Sequence, residues 1–572
     1  MAEIRIASVF SDNMVFQRNK NINIFGWASR TSRDSGDAKD STDADGKAFF
    51  VKVELYDKNS KLLAENIRSF TGKSQKWILS LLPQTAQDDC KLIINLDNKE
   101  TVTFQNIAIG EVWLAGGQSN MEFELGNCIE GPDALADVNG ENGGKNVRFY
   151  YTNKIAWIDE HFYEAERNTV WQTWESPNKN AWSAVGFFFA KKLSLDLGCT
   201  VGIIGCNWGG TSASAWMRRE YLEKDDELRT YLTEQEEATK DKSIEQQCLA
   251  YDEYEKENAA WQKKCDALYA KQPDIKWSEV ETILGKSPWP GPRSCKSPYR
   301  PCGLYDCMLN RVLPYTLKGV LWYQGECDDH KPYCYAKLFS KLIDNWRTDW
   351  KDAELPFVFV QLPNHRNEYD KDFKHWCHIR AAQEKVHRMV KNAYMICALD
   401  LGQFNDIHPK AKKVLAERME QNALANVYNG ACDKKPEDVL SPMLKSFLIK
   451  GAETENKDSF GKIVLTFENA CNGFVAREDK INLDYYKRME QHQGNQVSPA
   501  FTGFEIAGED DVYYPAAYRL GQSPQDLNTI TVSSPLVKNP VSVRYAWFNY
   551  GPVNIYGKNG LPLAPFNVHG VK

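Results

Sequence analysis

The 572-residue sequence contains no run of about 18 apolar residues, which excludes a helix that crosses a membrane. A basic excess is also missing, because 70 Lys and Arg stand against 77 Asp and Glu, and this balance argues against a nucleic-acid partner. The 15 cysteines form no CxxC pair with an accompanying His/Cys cluster, so we expect reduced thiols and no metal site. The N-terminus, MAEIRIASVF, lacks a charged segment followed by an apolar one, so we expect a cytoplasmic protein, or a secreted one if a leader has been removed.

The N-terminal part of the chain is rich in β-strand patterns. A chain of this length exceeds one hydrophobic core, since domains usually hold about 100–200 residues. Residues 1–106 alternate apolar and polar residues in short runs, which predicts an antiparallel β domain. Residues 30–47 are rich in Gly, Ser and Asp, so we expect them to form a mobile loop in this domain.

Residues 107–425 have a different pattern, in which continuous apolar runs alternate with helix-prone segments. This alternation is typical of an α/β domain whose parallel sheet is covered on both faces. The charged stretch at about 220–290 predicts a helical insertion in that domain. Strand-like runs return in residues 426–572, which predicts a C-terminal β domain. The apolar runs of the central region are IAIGEVWLA, TVGIIGC, LKGVLWYQ, PFVFVQL and AYMICALD.

Chemically capable residues follow four of these apolar runs. Because ligands of doubly wound sheets collect at the C-terminal ends of the strands, we expect these residues to lie close together. A serine, a glycine pair, an amide, and an acid with a histidine suffice for acyl transfer. In chain order they are Ser119, then Gly209 and Gly210, then Gln324 and Glu326, and finally Asp400, Asp406 and His408.

Each of these groups also has an ordinary structural interpretation. A Gly-Ser pair after a strand is often only a turn, and the DIHP run at 406–409 also suits a helix N-terminus, which favours Asp and Pro. Their occurrence in one order, each just beyond a strand, favours the catalytic interpretation. The same order excludes two common serine enzymes, because there is no G-x-S-x-G elbow with an HGGG loop and because Ser precedes His.

Seven short motifs are spread over almost the whole chain: SDNMVFQ (11–17), GQSNM (117–121), WGGTSASAW (208–216), WYQGE (322–326), DIHP (406–409), VRYAWFNYG (543–551) and GLPLAPF (560–566). Together they resemble the sialate O-acetylesterase family of SGNH hydrolases. The resemblance implies an α/β protein with a flavodoxin-like, three-layer α/β/α catalytic domain around a parallel sheet. It also implies flanking N- and C-terminal β-sandwich-like domains, and a carbohydrate O-acetylesterase activity that needs no cofactor.

The chemistry of such an enzyme assigns a role to each group at the strand ends. Ser119 is the expected nucleophile, and His408 is the base that takes its proton. The acid behind the imidazole stays open between Asp406 and Glu326, since Asn405 occupies the position three residues before the histidine, where the wider superfamily has its aspartate. Asp400 is expected to be structural.

An oxyanion hole for this reaction is expected from three N–H donors. They are the backbone amide of Ser119, the backbone amide of Gly210 or Gly209, and the side-chain amide of Gln324. A glycine suits this role because its backbone approaches the substrate without an intervening side chain. Gln324 departs from most SGNH enzymes, which have asparagine in this block.

Substrate contacts are predicted from residues beside the motifs. Trp208, Trp216 and Trp322 are candidates for a sugar platform, with padding of the sheet as the alternative, and Arg380 is a candidate for a substrate carboxylate, with an interhelix salt bridge as the alternative. The expected partner is an acetylated carbohydrate, either sialic acid or acetylated xylan or manno-oligosaccharides, and the oligomeric state stays open. Two other functions remain: a glycan-binding protein on a hydrolase scaffold, and a glycosidase that uses Glu326 with a second carboxylate.

Overall fold

The computed structural model describes residues 2–30, 49–70, 76–272, 275, 277–372, 374–428, 433–451, 460–470, 472–477 and 502–570. The loop expected at residues 30–47 lies, apart from Arg30, outside these ranges. Within them, no helix combines the length and the hydropathy needed to cross a membrane. Each cysteine in the described part of the chain is a free thiol.

The N-terminal region is built from β-strands. Three of them form a small antiparallel sheet in the order β1-β3-β6, and β5, β4 and β7 extend a larger sheet that continues into the rest of the protein. Strand β4 alternates buried and half-buried residues, as its sequence pattern predicts. The strands are β1 (Ala2–Ile6), β2 (Val15–Gln17), β3 (Ile22–Arg30), β4 (Phe49–Tyr56), β5 (Leu62–Phe70), β6 (Lys76–Leu81), β7 (Gln87–Leu96) and β8 (Glu100–Gly117).

A parallel sheet forms the centre of the protein, as the apolar runs predict. Its strand order is β9-β10-β8-β11-β12-β14, and each neighbouring pair is parallel. Strand β9 has no counterpart among the predicted strands, because Arg148 interrupts its short apolar run. The further strands of this region are β9 (Val147–Tyr151), β10 (Val201–Asn207), β11 (Gly319–Tyr323), β12 (Phe357–Gln361), β13 (His365–Arg366), β14 (Ala393–Cys397) and β15 (Gln403–Phe404).

Strand β8 connects the N-terminal strands to the central sheet. Its first part pairs with β7 in antiparallel register, and its last part pairs in parallel with β10 and β11. The boundary expected at residue 106 therefore lies inside β8, and this one strand pairs with strands of both regions.

Helices surround the central sheet, with α4 packed on α12 and α10 packed on α11. The insertion expected at about 220–290 is helical, and Trp261, Cys265 and Val280 give it a small core of its own. The helices are α1 (Ser119–Glu122), α2 (Gly131–Ala136), α3 (Glu160–Arg167), α4 (Ala184–Leu197), α5 (Arg219–Glu223), α6 (Asp226–Thr239), α7 (Ile244–Lys271), α8 (Trp277–Leu284), α9 (Asn310–Val312), α10 (Pro332–Trp350), α11 (His375–Met389) and α12 (Lys413–Asn426).

The C-terminal region returns to antiparallel strands. Two four-stranded sheets, β16-β17-β22-β21 and β20-β19-β23-β25, contact each other through Phe467 and Phe566, whose ring centroids lie 5.9 Å apart. A mixed α/β protein with additional β-rich regions is thus confirmed. The strands are β16 (Met443–Lys450), β17 (Lys462–Glu468), β18 (Phe474–Ala476), β19 (Phe504–Ala507), β20 (Tyr513–Pro515), β21 (Ala517–Leu520), β22 (Thr529–Ser533), β23 (Ser542–Tyr545), β24 (Ile555–Gly557) and β25 (Phe566–His569).

Candidate active site

A sharp turn at the end of β8 presents Ser119. Gly117 has a φ of 134°, and a Cβ at this position would lie 2.1 Å from the carbonyl oxygen of Tyr323 in the neighbouring strand. Only glycine fits such a conformation at such a distance. The chain then enters helix α1 at Ser119, so the hydroxyl lies directly beyond the carboxyl end of a central strand.

His408 lies beside this hydroxyl, although 289 residues separate the two in sequence. Its Nε2 is 2.8 Å from Oγ of Ser119, within hydrogen-bond reach of a nucleophile and its base. Burial lowers the pKa of His408, the charge of Lys412 lowers it further, and the carboxylates of Asp406 and Glu122 act in the opposite direction. The imidazole is therefore neutral near pH 7, the form that accepts a proton.

The two candidate acids occupy different environments. Oδ1 of Asp406 accepts the backbone N–H of His408 at 2.9 Å, and its charge acts on the imidazole. Glu326 is buried, its Oε1 accepts a hydrogen bond of 2.7 Å from Asn120, and burial raises its pKa to about 7. Asp400 forms a two-pronged ion pair with Arg418, at 2.7 Å for each contact. Asp406 thus contacts the backbone of the histidine, Glu326 contacts the residue after Ser119, and Asp400 is paired with Arg418.

The two glycines after β10 differ in what their amides do. The N–H of Gly209 donates to Oε2 of Glu122 at 2.7 Å, so this amide is already occupied. The N–H groups of Gly210 and Ser119 have no acceptor among the described residues. Since a Cβ on Gly209 would lie 3.3 Å from Cβ of Ser119, the glycine loop runs directly beside the nucleophile. This arrangement leaves the amides of Ser119 and Gly210 without an acceptor among the described residues.

Gln324 does not point into the same space, which corrects its expected role as a third donor. Its amide nitrogen donates to the carbonyl of Thr211 at 3.1 Å and to Oδ2 of Asp328 at 2.7 Å. Its Oε1 accepts a hydrogen bond of 2.9 Å from Tyr335, and the side chain is fully buried. Both amide hydrogens are used inside the protein, so Gln324 supports the wall of the site.

Comparisons with known proteins identify relatives of this chain. Residues 296–425 match the family model described as carbohydrate esterase, sialic acid-specific acetylesterase. The sialate O-acetylesterase of Mus musculus is 25% identical over 352 residues, which cover 57% of this chain and 58% of the mouse protein. The sialate O-acetylesterase of Homo sapiens is 22% identical over 540 residues, with coverage of 88% and 84%. The resemblance to the sialate O-acetylesterase family is confirmed.

A solved structure extends the likeness to the whole fold. A carbohydrate acetylesterase from Xanthomonas citri matches over 99% of both chains with a TM-score of 0.68 and 22% identity. The alignment with the mouse sialate O-acetylesterase spans little more than half of that relative. The family-model match and the curated relatives support the prediction of a carboxylic ester hydrolase. The segment that matches the esterase family model contains Glu326, Asp406 and His408.

Three of the four residues predicted to contact substrate are buried, which corrects that prediction. Trp216 is fully buried, with its Nε1 donating to Thr211. Trp322 lies within strand β11 and packs on Phe339 and Trp346 of α10, because its position in the pleat directs it at the helix layer. Arg380 is also fully buried. Trp208 alone of the four is partly exposed.

Arg380 joins the catalytic region to the C-terminal region. Its guanidinium donates to Oδ1 of Asn364 at 3.1 Å and to the carbonyl of Phe548 at 2.5 Å. These bonds occupy the group inside the protein, so a substrate carboxylate cannot reach it. The alternative of an interhelix salt bridge is also wrong, because the guanidinium donates to an amide oxygen and to a backbone carbonyl.

Asn120 and Lys412 were not predicted as site residues. Lys412 is buried, and its Nζ donates to Oδ1 of Asn120 at 2.6 Å. Nδ2 of Asn120 donates in turn to the carbonyl of Ile407 at 3.0 Å. These bonds tie the helix that begins at Ser119 to the loop that carries His408. In the sequence, Asn120 directly follows Ser119, and Lys412 lies four residues after His408. No periodic pattern connects these two positions, so the sequence does not predict the bond between them.

Proposed function

We propose that this chain is a serine carbohydrate O-acetylesterase. The observation that carries the proposal is the distance of 2.8 Å between Oγ of Ser119 and Nε2 of His408. A buried, neutral imidazole beside a serine at a strand end is the arrangement that activates a hydroxyl. The likeness to sialate O-acetylesterases and to a carbohydrate acetylesterase supports an acetylated carbohydrate as the substrate. We further assign the central sheet and its helices to the three-layer SGNH hydrolase fold.

The proposed reaction has two acyl-transfer steps. Ser119 attacks the acetyl carbonyl while its proton passes to Nε2 of His408, and the amides of Ser119 and Gly210 bind the oxyanion. The sugar hydroxyl then leaves with the proton from the imidazolium. A water molecule attacks the acetyl-serine, again with His408 as the base, and acetate is released. Asp406 holds the histidine loop and stabilises the imidazolium.

The two other functions receive less support from the site. A glycosidase of the common type needs two carboxyl groups that reach the scissile bond. Glu326 is 5% exposed and bonded to Asn120, so it faces the protein interior. A glycan-binding protein without activity would not require a serine and a histidine in contact.

Acetate release tests the proposal. Wild type and Ser119→Ala are compared on a panel of O-acetylated sialosides and acetylated xylo- and manno-oligosaccharides. We expect Ser119→Ala to lose about 10³-fold or more in turnover, as removal of a serine nucleophile does elsewhere. Ser69→Ala, at an exposed position of β5, is the matched control and should retain full activity. Reducing sugar released without acetate, or full activity in Ser119→Ala, would refute the proposal.

A further inference from the structure

A pocket of about 330 Å³ is lined in part by Trp208, the residue before the glycine pair of the candidate site. Its walls come from three parts of the chain: residues 154–157 and Asp159 after β9, Trp208 after β10, and the insertion with its return segment, which contributes Tyr251, Glu255, Lys296 and Pro298. The volume falls within the range of roughly 300–1,000 Å³ that small-molecule sites occupy. The helical insertion therefore has a part in shaping a cavity of the catalytic region.

The pocket is connected to the catalytic serine by its own wall residues. The backbone N–H of Trp208 donates to the carbonyl of Gly117 at 3.1 Å, two residues before Ser119. Lys154 forms an ion pair with Glu122, the same carboxylate that accepts the N–H of Gly209. Trp208 also directly precedes Gly209, where a Cβ would lie 3.3 Å from Cβ of Ser119, so the pocket wall and the serine share one loop.

The surfaces of the pocket combine aromatic rings with hydrogen-bonding groups. Trp208 and Trp157 are partly exposed there, and Tyr251 lies deeper in the wall. Asp159 and Glu255 add carboxylate oxygens, which accept hydrogen bonds. A sugar ring has an apolar C–H face that packs on an aromatic ring and an edge of hydroxyl groups that donate to carboxylates. The wall matches both features.

The charges of the wall favour an uncharged ligand over an anionic one. Two lysines and two carboxylates line the pocket, so their formal charges cancel. Lys154 is paired with Glu122, and Lys296 is paired with Asp252. Among the described residues that line the pocket, the two lysines are the cations, so a sugar carboxylate would compete with Glu122 or Asp252 for them while losing part of its hydration.

We propose that this pocket binds an uncharged sugar ring that is linked to the acetylated sugar. The inference rests on the function proposed above, and it assigns an O-acetylated oligosaccharide, rather than a monosaccharide, as the substrate. Trp208 and Glu255 are its specificity-determining residues. Because the added contacts are formed by the neighbouring sugar, they raise kcat/KM for the longer substrate.

The test compares acetate release from O-acetylated xylobiose, from O-acetylated xylose, and from an acetylated xylose that carries glucuronic acid. We expect kcat/KM of the wild type to be about tenfold higher for xylobiose than for xylose, and the glucuronic acid compound to gain nothing over xylose. Trp208→Ala and Glu255→Ala should reduce the xylobiose preference to near unity. Tyr333→Ala removes an aromatic ring that is exposed on α10, outside the pocket, and should retain the preference.

The possible failures are distinct. Acetate release that depends on Ser119 but is equal for xylose and xylobiose would overturn the pocket assignment and leave the esterase intact. A xylobiose preference that survives in both pocket variants would overturn it as well. Absence of Ser119-dependent acetate release from any of the substrates would instead refute the esterase. Glu255 is exposed on its helix, so its variant remains informative if Trp208→Ala is unstable.

Discussion

The buried carboxyl group of Glu326 accepts a hydrogen bond of 2.7 Å from the side chain of Asn120, the residue that follows Ser119. The same amide accepts a bond from Lys412 and donates one to the carbonyl of Ile407, the residue before His408. A carboxyl group, an amide and an ammonium group thus hold the serine helix against the histidine loop. Glu326 is part of this support, and it is not among the charges that act on the imidazole of His408.

This arrangement distinguishes the two candidate acids. We expect Asp406→Asn to lower kcat by about 10²–10⁴-fold, because the carboxylate that stabilises the imidazolium is lost. Glu326→Gln should change kcat by less than about tenfold, since the Gln carbonyl still accepts the bond from Asn120. The measurement is kcat for acetate release on one acetylated oligosaccharide. The opposite order of the two effects would make Glu326 the acid, and normal turnover in both variants would refute the triad.

The pH profile tests the electrostatics of His408. Burial and the charge of Lys412 lower its pKa below 6.5, so the acidic limb of kcat/KM should lie below pH 6.5, where the imidazole gains a proton and stops acting as a base. Lys412 is itself charged at that pH, because its own pKa is lowered only to about 7. Lys412→Met removes that charge, so the limb should move to higher pH.

Lys410→Met, at an exposed position of the same loop, is the control for this profile. The acidic limb of kcat/KM for Lys410→Met should lie at the same pH as in the wild type. An identical acidic limb in wild type and Lys412→Met would show that Lys412 does not act on the base.

The sequence predicts the parts of the site that depend on strand ends. The turn at Gly117, the serine after it and the histidine after the last strand all follow from apolar runs that end in polar motifs. The direction in which a side chain points cannot be predicted from these runs and motifs. Trp322 and Gln324 stand in one motif at a strand end, yet both turn into the protein, because the pleat and a partner on another element decide where each points.

Long-range bonds explain the other differences between prediction and structure. The occupied amide of Gly209 depends on Glu122, which lies 87 residues away, and no local pattern records that bond. The DIHP run at 406–409 also suits a helix N-terminus, yet the helix that follows it begins only at Lys413. The Lys412 side chain, just before it, is bonded to Asn120, 292 residues away. Capping residues and periodicity are local signals, so they locate elements better than they locate partners.

Removal of the Arg380 guanidinium tests its structural role. Arg380→Met replaces the guanidinium by a long apolar side chain. The carbonyl of Phe548 and the amide oxygen of Asn364 then lose their donor. A hydrogen bond to a charged group contributes about 1.5–3 kcal/mol, so we expect the free energy of unfolding to fall by at least that amount. Denaturant unfolding measures it, with Arg229→Met, an exposed arginine, as a control that should stay within about 0.5 kcal/mol. A raised KM with unchanged stability would instead indicate that Arg380 contacts the substrate.

Glu326 also makes the stability of the protein depend on pH. Burial raises its pKa from 4.5 to about 7, so between these values the native state holds a proton that the unfolded state has lost. The contribution of this group to the free energy of unfolding therefore falls as pH rises, by at most about 1.4 kcal/mol per pH unit. Glu326→Gln carries no charge, so its stability relative to wild type should increase steadily across that window.

Denaturant unfolding at several pH values from about 4.5 to 7 measures this difference. Glu141→Gln, at an exposed turn, changes the same charge at the surface and should give a difference that is small and independent of pH. If the difference between Glu326→Gln and wild type is constant over the window, Glu326 is ionised in the native state. Its bond to Asn120 would then be that of a buried carboxylate, with the charge of Lys412 as its counterion.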